Sequence, residues 1–220
     1  MSVHLQREIE HIKKQVFSLC AVVEDQVQMA VRAVLEGDRA IAEGVWHRDS
    51  DVDDQEVVIE EECLKILALH QPVAIDLRLI VASLKMNNDL ERIGDEAVTI
   101  ARQAASLSAE KDAVEIPFDL PGMWSKTQAM LRDSLDALVN MDVNLAADVC
   151  KRDDEVDQIK RDFRFHAEEL MRKDPERVRV LLKLMAVSRA LERIADLATN
   201  IAEDVIYMVR GKIVRHAMSD

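Results

Sequence analysis

An acidic phrase occurs twice in this chain, and it limits the folds that the chain can adopt. Leu-Glu-Arg-Ile-x-Asp begins at Leu90 and begins again at Leu191, 101 positions later. Residues four apart on an α-helix differ in direction by only about 40°, so the Glu and Asp of each phrase point the same way from successive turns. Like charges stacked in this way repel, at roughly 0.2–0.5 kcal/mol per pair on an isolated helix. The repetition therefore predicts two similar helical halves, each with a cation or open water near its acidic pair.

The composition favours a protein built of helices alone. Aromatic residues make up 3% of the 220 residues, and there are only five glycines and four prolines. The apolar residues are mainly Leu, Val, Ile, Ala and Met, which is typical of helix bundles. We therefore predict an all-α fold. A chain of this length suffices for one large domain or two small ones, and the internal repetition favours two.

Charge and hydropathy exclude two classes of partner. The net charge of −13 argues against binding to nucleic acid, which requires a basic surface, and against an anionic bilayer. The stretch from Met1 to Ile12 is charged throughout and predicts no signal peptide, and no run approaches the ~20 apolar residues of a membrane span. We expect a cytoplasmic protein that inserts into no membrane and meets the membrane only through partners.

Apolar periodicity and helix-breaking residues divide each half into three helices. The predicted helices cover about 5–36, 39–70 and 74–106 in the first half, and end at Asn140, Arg172 and about Val209 in the second. The breaks are Gly37-Asp38, Gln71-Pro72, Met141-Asp142 and Asp174-Pro175. Short turns between helices predict antiparallel neighbours, so each half is a three-helix bundle and the chain is a tandem duplication. The predicted units are a first repeat over 1–106, a linker over 107–121 and a second repeat over 122–220.

The third helix of each half has a second apolar stripe that is interrupted by polar residues. In the first half the stripe consists of Leu77, Ile80, Val81, Leu84 and Val98, with Asn88, Glu91 and Asp95 at mid-length. In the second half Val178, Leu182 and Met185 lead into Arg189, Glu192, Asp196 and Asn200. A polar island within an apolar stripe indicates a site. A second apolar stripe also favours a partner surface, so we expect a homodimer.

The middle helices bring acidic pairs of their own to the same level of each bundle. Asp53 lies 19 residues before Pro72 and Glu91 lies 19 residues after it, so the two meet if the helices pack antiparallel. Four carboxylates that converge from two helices are tolerated only with bound cations or open water around them. Oxygen ligands without His or Cys select Mg²⁺, Mn²⁺, Ca²⁺ or ferric iron. A solvated acidic face is the alternative interpretation.

Several of these motifs together resemble one known family. They are Gln71-Pro72-x-x-x-Asp76-Leu77-Arg78, the acidic run from Asp49 to Asp53, both Glu-Arg-Ile-x-Asp phrases and the duplicated three-helix plan. This combination resembles the PhoU family, the bacterial accessory and regulatory proteins of high-affinity phosphate transport, over nearly the whole chain. The resemblance implies six helices in two similar bundles, with acidic motifs that in some members hold multinuclear metal clusters on the surface.

The resemblance also implies a set of ligands for divalent or ferric metal ions. Carried over by position, the ligands are Asp49, Asp53, Glu91, Asp95, Asp153, Asp157, Glu192 and Asp196, with Asn200 as a further candidate. Arg189 replaces the neutral Asn88 and places a cation beside the second cluster. Metal occupancy can therefore differ between the halves.

The implied function is regulatory and not enzymatic. Proteins of this family dampen phosphate uptake and keep the phosphate regulon off when phosphate is plentiful, and they work with the ATPase of the phosphate ABC transporter and a membrane sensor histidine kinase. The alternative is a metal-dependent all-α phosphohydrolase acting on nucleotides, because such enzymes also hold Mg²⁺ with paired helical carboxylates. The duplicated pairs in this chain come without the lysine-rich phosphate clamp that a nucleotide pocket would need.

Overall fold

The computed structural model describes residues 3–110 and 115–211, and these residues form six long α-helices and no strand. The helices are α1 (Val3–Glu36), α2 (Arg39–His70), α3 (Ala74–Leu107), α4 (Leu120–Asn140), α5 (Val143–Lys173) and α6 (Val178–Arg210). A single 3₁₀ turn, Pro175–Arg177, precedes α6. The prediction of an all-α fold with three helices in each half is confirmed.

Equivalent aspartates cap the second helix of each half. The side chain of Asp38 accepts hydrogen bonds from the amides of Ala40 and Ile41 at the start of α2. Asp142 does the same for the amides of Asn144 and Leu145 at the start of α5, at 2.9 and 3.1 Å. Such caps satisfy amide groups that have no partner within the helix. The duplicated sequence therefore produces duplicated helix starts.

The segment between the repeats is shorter at both ends than the predicted linker over 107–121. Helix α3 continues to Leu107, and α4 already begins at Leu120. Pro121 thus lies inside the first turn of α4, behind the capping side chain of Asp119, which accepts a hydrogen bond from the amide of Gly122. Proline is tolerated there because the first amides of a helix have no helical partner. The predicted linker over 107–121 therefore overlaps the last residue of α3 and the first two residues of α4.

The third helices of the two halves pack against each other in antiparallel fashion. Lys85 of α3 binds Asp204 of α6 at 3.1 Å, and Glu96 binds Arg193 at 3.0 Å. Further along α3, the carbonyl oxygen of Ser106 accepts a hydrogen bond from Lys183 at 2.9 Å. The numbers on α6 fall as those on α3 rise, so the helices run in opposite directions. Buried residues of both halves form one continuous apolar core.

The second apolar stripe of α3 is largely covered within the chain. Ile80 and Val98 are buried, Val81 and Leu84 are half-buried, and Leu77 remains exposed. Neighbouring helices of the same chain thus use most of the surface on which the homodimer was inferred. The homodimer stays a prediction.

None of the described helices combines the length and the apolar content needed to cross a bilayer.

Candidate functional sites

Helices α2 and α3 bring the four predicted ligands of the first repeat to one surface. We call Asp49 and Asp53 of α2 together with Glu91 and Asp95 of α3 the first acidic site. The helices approach closely at Gly94, where a Cβ atom would lie 3.3 Å from Oε1 of Gln26, 3.4 Å from Cγ1 of Val52 and 3.6 Å from Oδ1 of Asp49. Helix α3 therefore lies against both α1 and the acidic turn of α2 at this level.

The acids of the first acidic site repel one another. Burial raises the pKa of Glu91 above its ordinary value, and the charges of Asp95, Asp53, Glu56 and Asp49 raise it further. The pKa of Asp53 is also raised, first by burial and then by Asp49 and Asp95. Glu91 thus experiences carboxylates from both helices. The charges of α2 and α3 face a common volume.

The first acidic site has no cation of its own among the residues that the structure describes. No Lys, Arg or His of these ranges forms an ion pair with any of its four carboxylates or with the adjacent Glu56. One neutral contact exists, because the buried side chain of Gln26 on α1 donates a hydrogen bond to Oδ1 of Asp49 at 3.0 Å. This contact orients Asp49 without compensating its charge.

The corresponding surface of the second repeat contains a lysine. We call Asp153 and Asp157 of α5 together with Glu192 and Asp196 of α6 the second acidic site. The ammonium of Lys160 donates a short hydrogen bond to Oε1 of Glu192 and lies 3.4 Å from Oδ1 of Asp157. Lys160 therefore bridges the two helices that carry the acids.

Burial and neighbouring charges shift the pKa values of the second acidic site. Burial, followed by the charges of Glu192, Asp153 and Asp157, raises the pKa of Asp196 to about 6, and the charge of Lys160 opposes the rise. Burial also leads the causes that raise the pKa of Asp153, ahead of Asp157. For Lys160 itself burial lowers the pKa, but the hydrogen bond and charge of Glu192 outweigh burial, so that the pKa is raised. The ammonium is held in its charged form by the acids around it.

Asn200, the remaining predicted ligand, lies at one end of the second acidic site. It is half-buried and lines an open cleft of about 650 Å³ together with Asp153 and Asp196. Arg92 and Glu96 of α3 form the opposite wall. The cleft thus lies where the two repeats meet.

The sequence contained a signal for Lys160 that the comparison of acids alone missed. At the spacing of 104 that relates α2 to α5, Lys160 corresponds to Glu56 and Arg164 corresponds to Glu60. Together with Arg189 in place of Asn88, the second repeat has three bases where the first has two acids and an amide. At these compared positions the first repeat has six acids and no base, whereas the second has four acids and three bases. Arg161, next to Lys160 on α5, adds a further ion pair to Asp157 at 3.2 Å.

The two acidic sites differ in how well they suit a metal ion. Within residues 3–110 and 115–211, no three His, Cys, Asp or Glu side chains are placed closely enough to hold a metal as they stand. The all-oxygen donor set and uncompensated charge of the first acidic site fit a hard cation in chemistry, because a cation would offset the mutual repulsion. In the second acidic site Lys160 already occupies oxygens of Asp157 and Glu192. Metal ligation stays a prediction for both.

Comparison with known proteins establishes the family. The family model described as the PhoU domain matches residues 16–104 and 120–205. The chain belongs to the PhoU family. The two matched segments fall on the two repeats, so the internal duplication is a duplication of the PhoU domain.

Relatives of this PhoU chain extend over almost its whole length. It is 39% identical to the phosphate-specific transport system accessory protein PhoU homolog of Pseudomonas aeruginosa over 219 residues, which covers 98% of this chain and 89% of that protein. It is 34% identical to the accessory protein PhoU of Escherichia coli over 213 residues, covering 97% and 88% of the two chains. The crystal structure of PhoU from Pseudomonas aeruginosa matches with a TM-score of 0.91 at 38% identity, covering 94% of this chain and 99% of that one.

Proposed function

We propose that this PhoU-family chain is a cytoplasmic regulator of phosphate homeostasis that lowers high-affinity phosphate uptake and phosphate-regulon signalling through protein contacts. The observation that carries the proposal is the similarity, over 98% of the chain, to an accessory protein of phosphate-specific transport. These relatives are accessory proteins of phosphate-specific transport, which favours a regulator over a metal-dependent phosphohydrolase. The partners are the ATPase of the phosphate ABC transporter and a membrane sensor histidine kinase.

The acidic surfaces supply a physical basis for recognition. Asp53 and Asp95 are exposed and Glu91 is half-buried, so the first acidic site is accessible to a partner. Complementary charge steers encounter and suppresses wrong partners. With a net charge of −13, this chain suits basic surfaces on its partners. The first acidic site has the highest uncompensated charge of the two surfaces and is therefore the leading docking position.

A hard cation at the first acidic site is part of the proposal. Asp49, Asp53, Glu91 and Asp95 would hold it through carboxylate oxygens, and Gln26 would keep Asp49 oriented from α1. When bound, such a cation neutralises clustered negative charge and can offer an open position to an oxygen ligand of a partner. The residues of this chain would thereby present one ordered surface in place of four repelling side chains.

Capture of purified partners tests the proposal. Immobilised wild-type chain would be compared with a Glu91→Ala/Glu192→Ala variant for capture of the transporter ATPase and the sensor kinase. A Glu36→Ala/Glu169→Ala variant is the matched control, because both glutamates form exposed i,i+4 ion pairs away from the acidic sites.

The double variant at the acidic sites should lose capture while its helical circular dichroism is retained, and the control should capture like wild type. Equal capture by all three chains would refute the role of the acidic surfaces. Failure of the wild type to capture either protein would refute the proposed partners.

A further inference from the structure

The second acidic site holds a cation that is part of the chain itself. The Lys160 side chain is two-thirds shielded from solvent, with 33% of its surface exposed, and its Glu192 partner is 15% exposed. Lys160 reaches from α5 to α6 and also contacts Asp157 on its own helix. Removing one partner of such a partly buried ion pair costs more than breaking a pair on the open surface, because the remaining charge is left uncompensated.

The same position in the first repeat carries the opposite charge. Glu56 is the counterpart of Lys160 and adds a fifth carboxylate to the first acidic site, because its charge acts on Glu91. Arg164 and Arg189 also line a cleft with Glu192 in the second repeat, and neither counterpart in the first repeat is a base. The two repeats share the same arrangement of helices and the same four acids, but the side chain at the position of Glu56 and Lys160 is negative in the first repeat and positive in the second.

An ammonium and a metal ion compete for the same carboxylate oxygens. A metal that bound Glu192 and Asp157 would displace Lys160, and the shielded ammonium would lose both of its partners. Leaving a partly buried charge without partners is costly. We propose that Lys160 is the built-in counter-ion of the second acidic site and excludes metal from it, so that a hard cation binds only in the first repeat. The inference rests on the metal chemistry proposed above for the first acidic site.

Manganese binding to full-length variants tests this assignment. Binding would be measured by equilibrium dialysis with electron paramagnetic resonance of free Mn²⁺. An Asp53→Asn/Glu91→Gln background disables the first acidic site, and Lys160→Glu in that background gives the second repeat the acid that the first repeat has at the equivalent position, Glu56. The matched control is Lys151→Glu, which makes the same charge change on α5 at an exposed lysine paired with Asp148.

We expect Mn²⁺ binding to increase only in the variant that carries Lys160→Glu. The disabled background should bind at least tenfold less Mn²⁺ than wild type, addition of Lys160→Glu should restore binding, and addition of Lys151→Glu should not. Restoration without Lys160→Glu, or no gain with it, overturns the inference. Wild-type chain that binds no Mn²⁺, beside a Lys160→Glu chain that does, would instead overturn the proposed cation of the first acidic site.

A second variant keeps the proposal testable if the Lys160→Glu chain fails to fold. Lys160→Met in the wild-type chain removes the ammonium without adding an acid, and its helicity would be checked by circular dichroism. In chelator its melting temperature should fall below that of wild type by several degrees, and Mn²⁺ should recover most of that fall. A Lys160→Met chain that melts like wild type with and without Mn²⁺ would show that Lys160 is not the counter-ion.

Discussion

Neutralising the corresponding glutamate in each repeat should change the stability of the protein in opposite directions. Glu91→Gln removes a charge that is repelled by its neighbours, whereas Glu192→Gln removes the partner of Lys160. The two positions correspond in the duplicated sequence, and both side chains are half-buried. Each substitution is therefore a matched control for the other. The sign of the change in stability shows whether the groups around the glutamate are mainly negative or include a cation.

The magnitudes follow from the contacts. Glu91→Gln relieves one i,i+4 repulsion from Asp95, worth roughly 0.2–0.5 kcal/mol, and comparable cross-helix repulsion from Asp53, so we expect a gain of about 0.5–1 kcal/mol. Glu192→Gln loses a charge-assisted hydrogen bond of roughly 1.5–3 kcal/mol. Partial exposure of Lys160 and the relief of repulsion at Asp196 reduce this to a net loss of about 1–2 kcal/mol.

Thermal unfolding in chelator and low salt measures both changes. For a chain of this size about 1 kcal/mol shifts the melting temperature by roughly 2–4 °C, so Glu91→Gln should melt a few degrees higher and Glu192→Gln a few degrees lower than wild type. The gain from Glu91→Gln should shrink in 1 M salt, because salt screens partly exposed charges. The reasoning would be refuted if both substitutions shifted the melting temperature in the same direction.

Three further predictions concern the core, the contact between the repeats and pH. Leu90→Ala should reduce the free energy of unfolding by about 2–5 kcal/mol because Leu90 is fully buried, whereas Val139→Ala, at an exposed position, should change it by less than about 0.5 kcal/mol. Urea titration measures both changes, and similar losses would contradict the core assignment. Lys85→Met should cost about 1–3 kcal/mol in the same titration because the buried carboxylate of Asp204 loses its ammonium; an unchanged urea midpoint would contradict this. The pKa of Asp196 is raised from 3.8 to about 6, so the folded state binds more protons than the unfolded state and stability should fall as pH rises from about 4 to about 6. Solvent screening reduces the gross change in the free energy of unfolding from about 3 kcal/mol to the order of 1 kcal/mol. Asp196→Asn should flatten this part of the curve of stability against pH.

Helix boundaries could be read from the sequence because they depend on local chemistry. Asp38 and Asp142 cap helices with their own side chains, and such caps need no information from the rest of the fold. Pro121 was misplaced because proline both breaks helices and begins them, and the deciding residue was the Asp119 cap before it. Local rules therefore located the helices and failed only where one residue type has two uses.

The packing of α3 on α6 could not be predicted in the same way. Periodicity shows which face of a helix is apolar, but it does not show which helix covers that face. The contacts that fix the arrangement, such as Lys85 with Asp204, join residues 119 positions apart that resemble ordinary surface charges in the sequence. Lys160 was overlooked for a different reason, because comparing like residues finds the acids that the two repeats share and passes over the lysine that corresponds to Glu56.

A phosphate-responsive reporter in cells tests most directly the claim that function resides in the acidic sites. In a strain that lacks this chain, complementation with wild type should switch the reporter off at high phosphate. The Glu91→Ala/Glu192→Ala variant, expressed at the same level, should leave the reporter on. Repression by the variant equal to that by wild type would contradict the account.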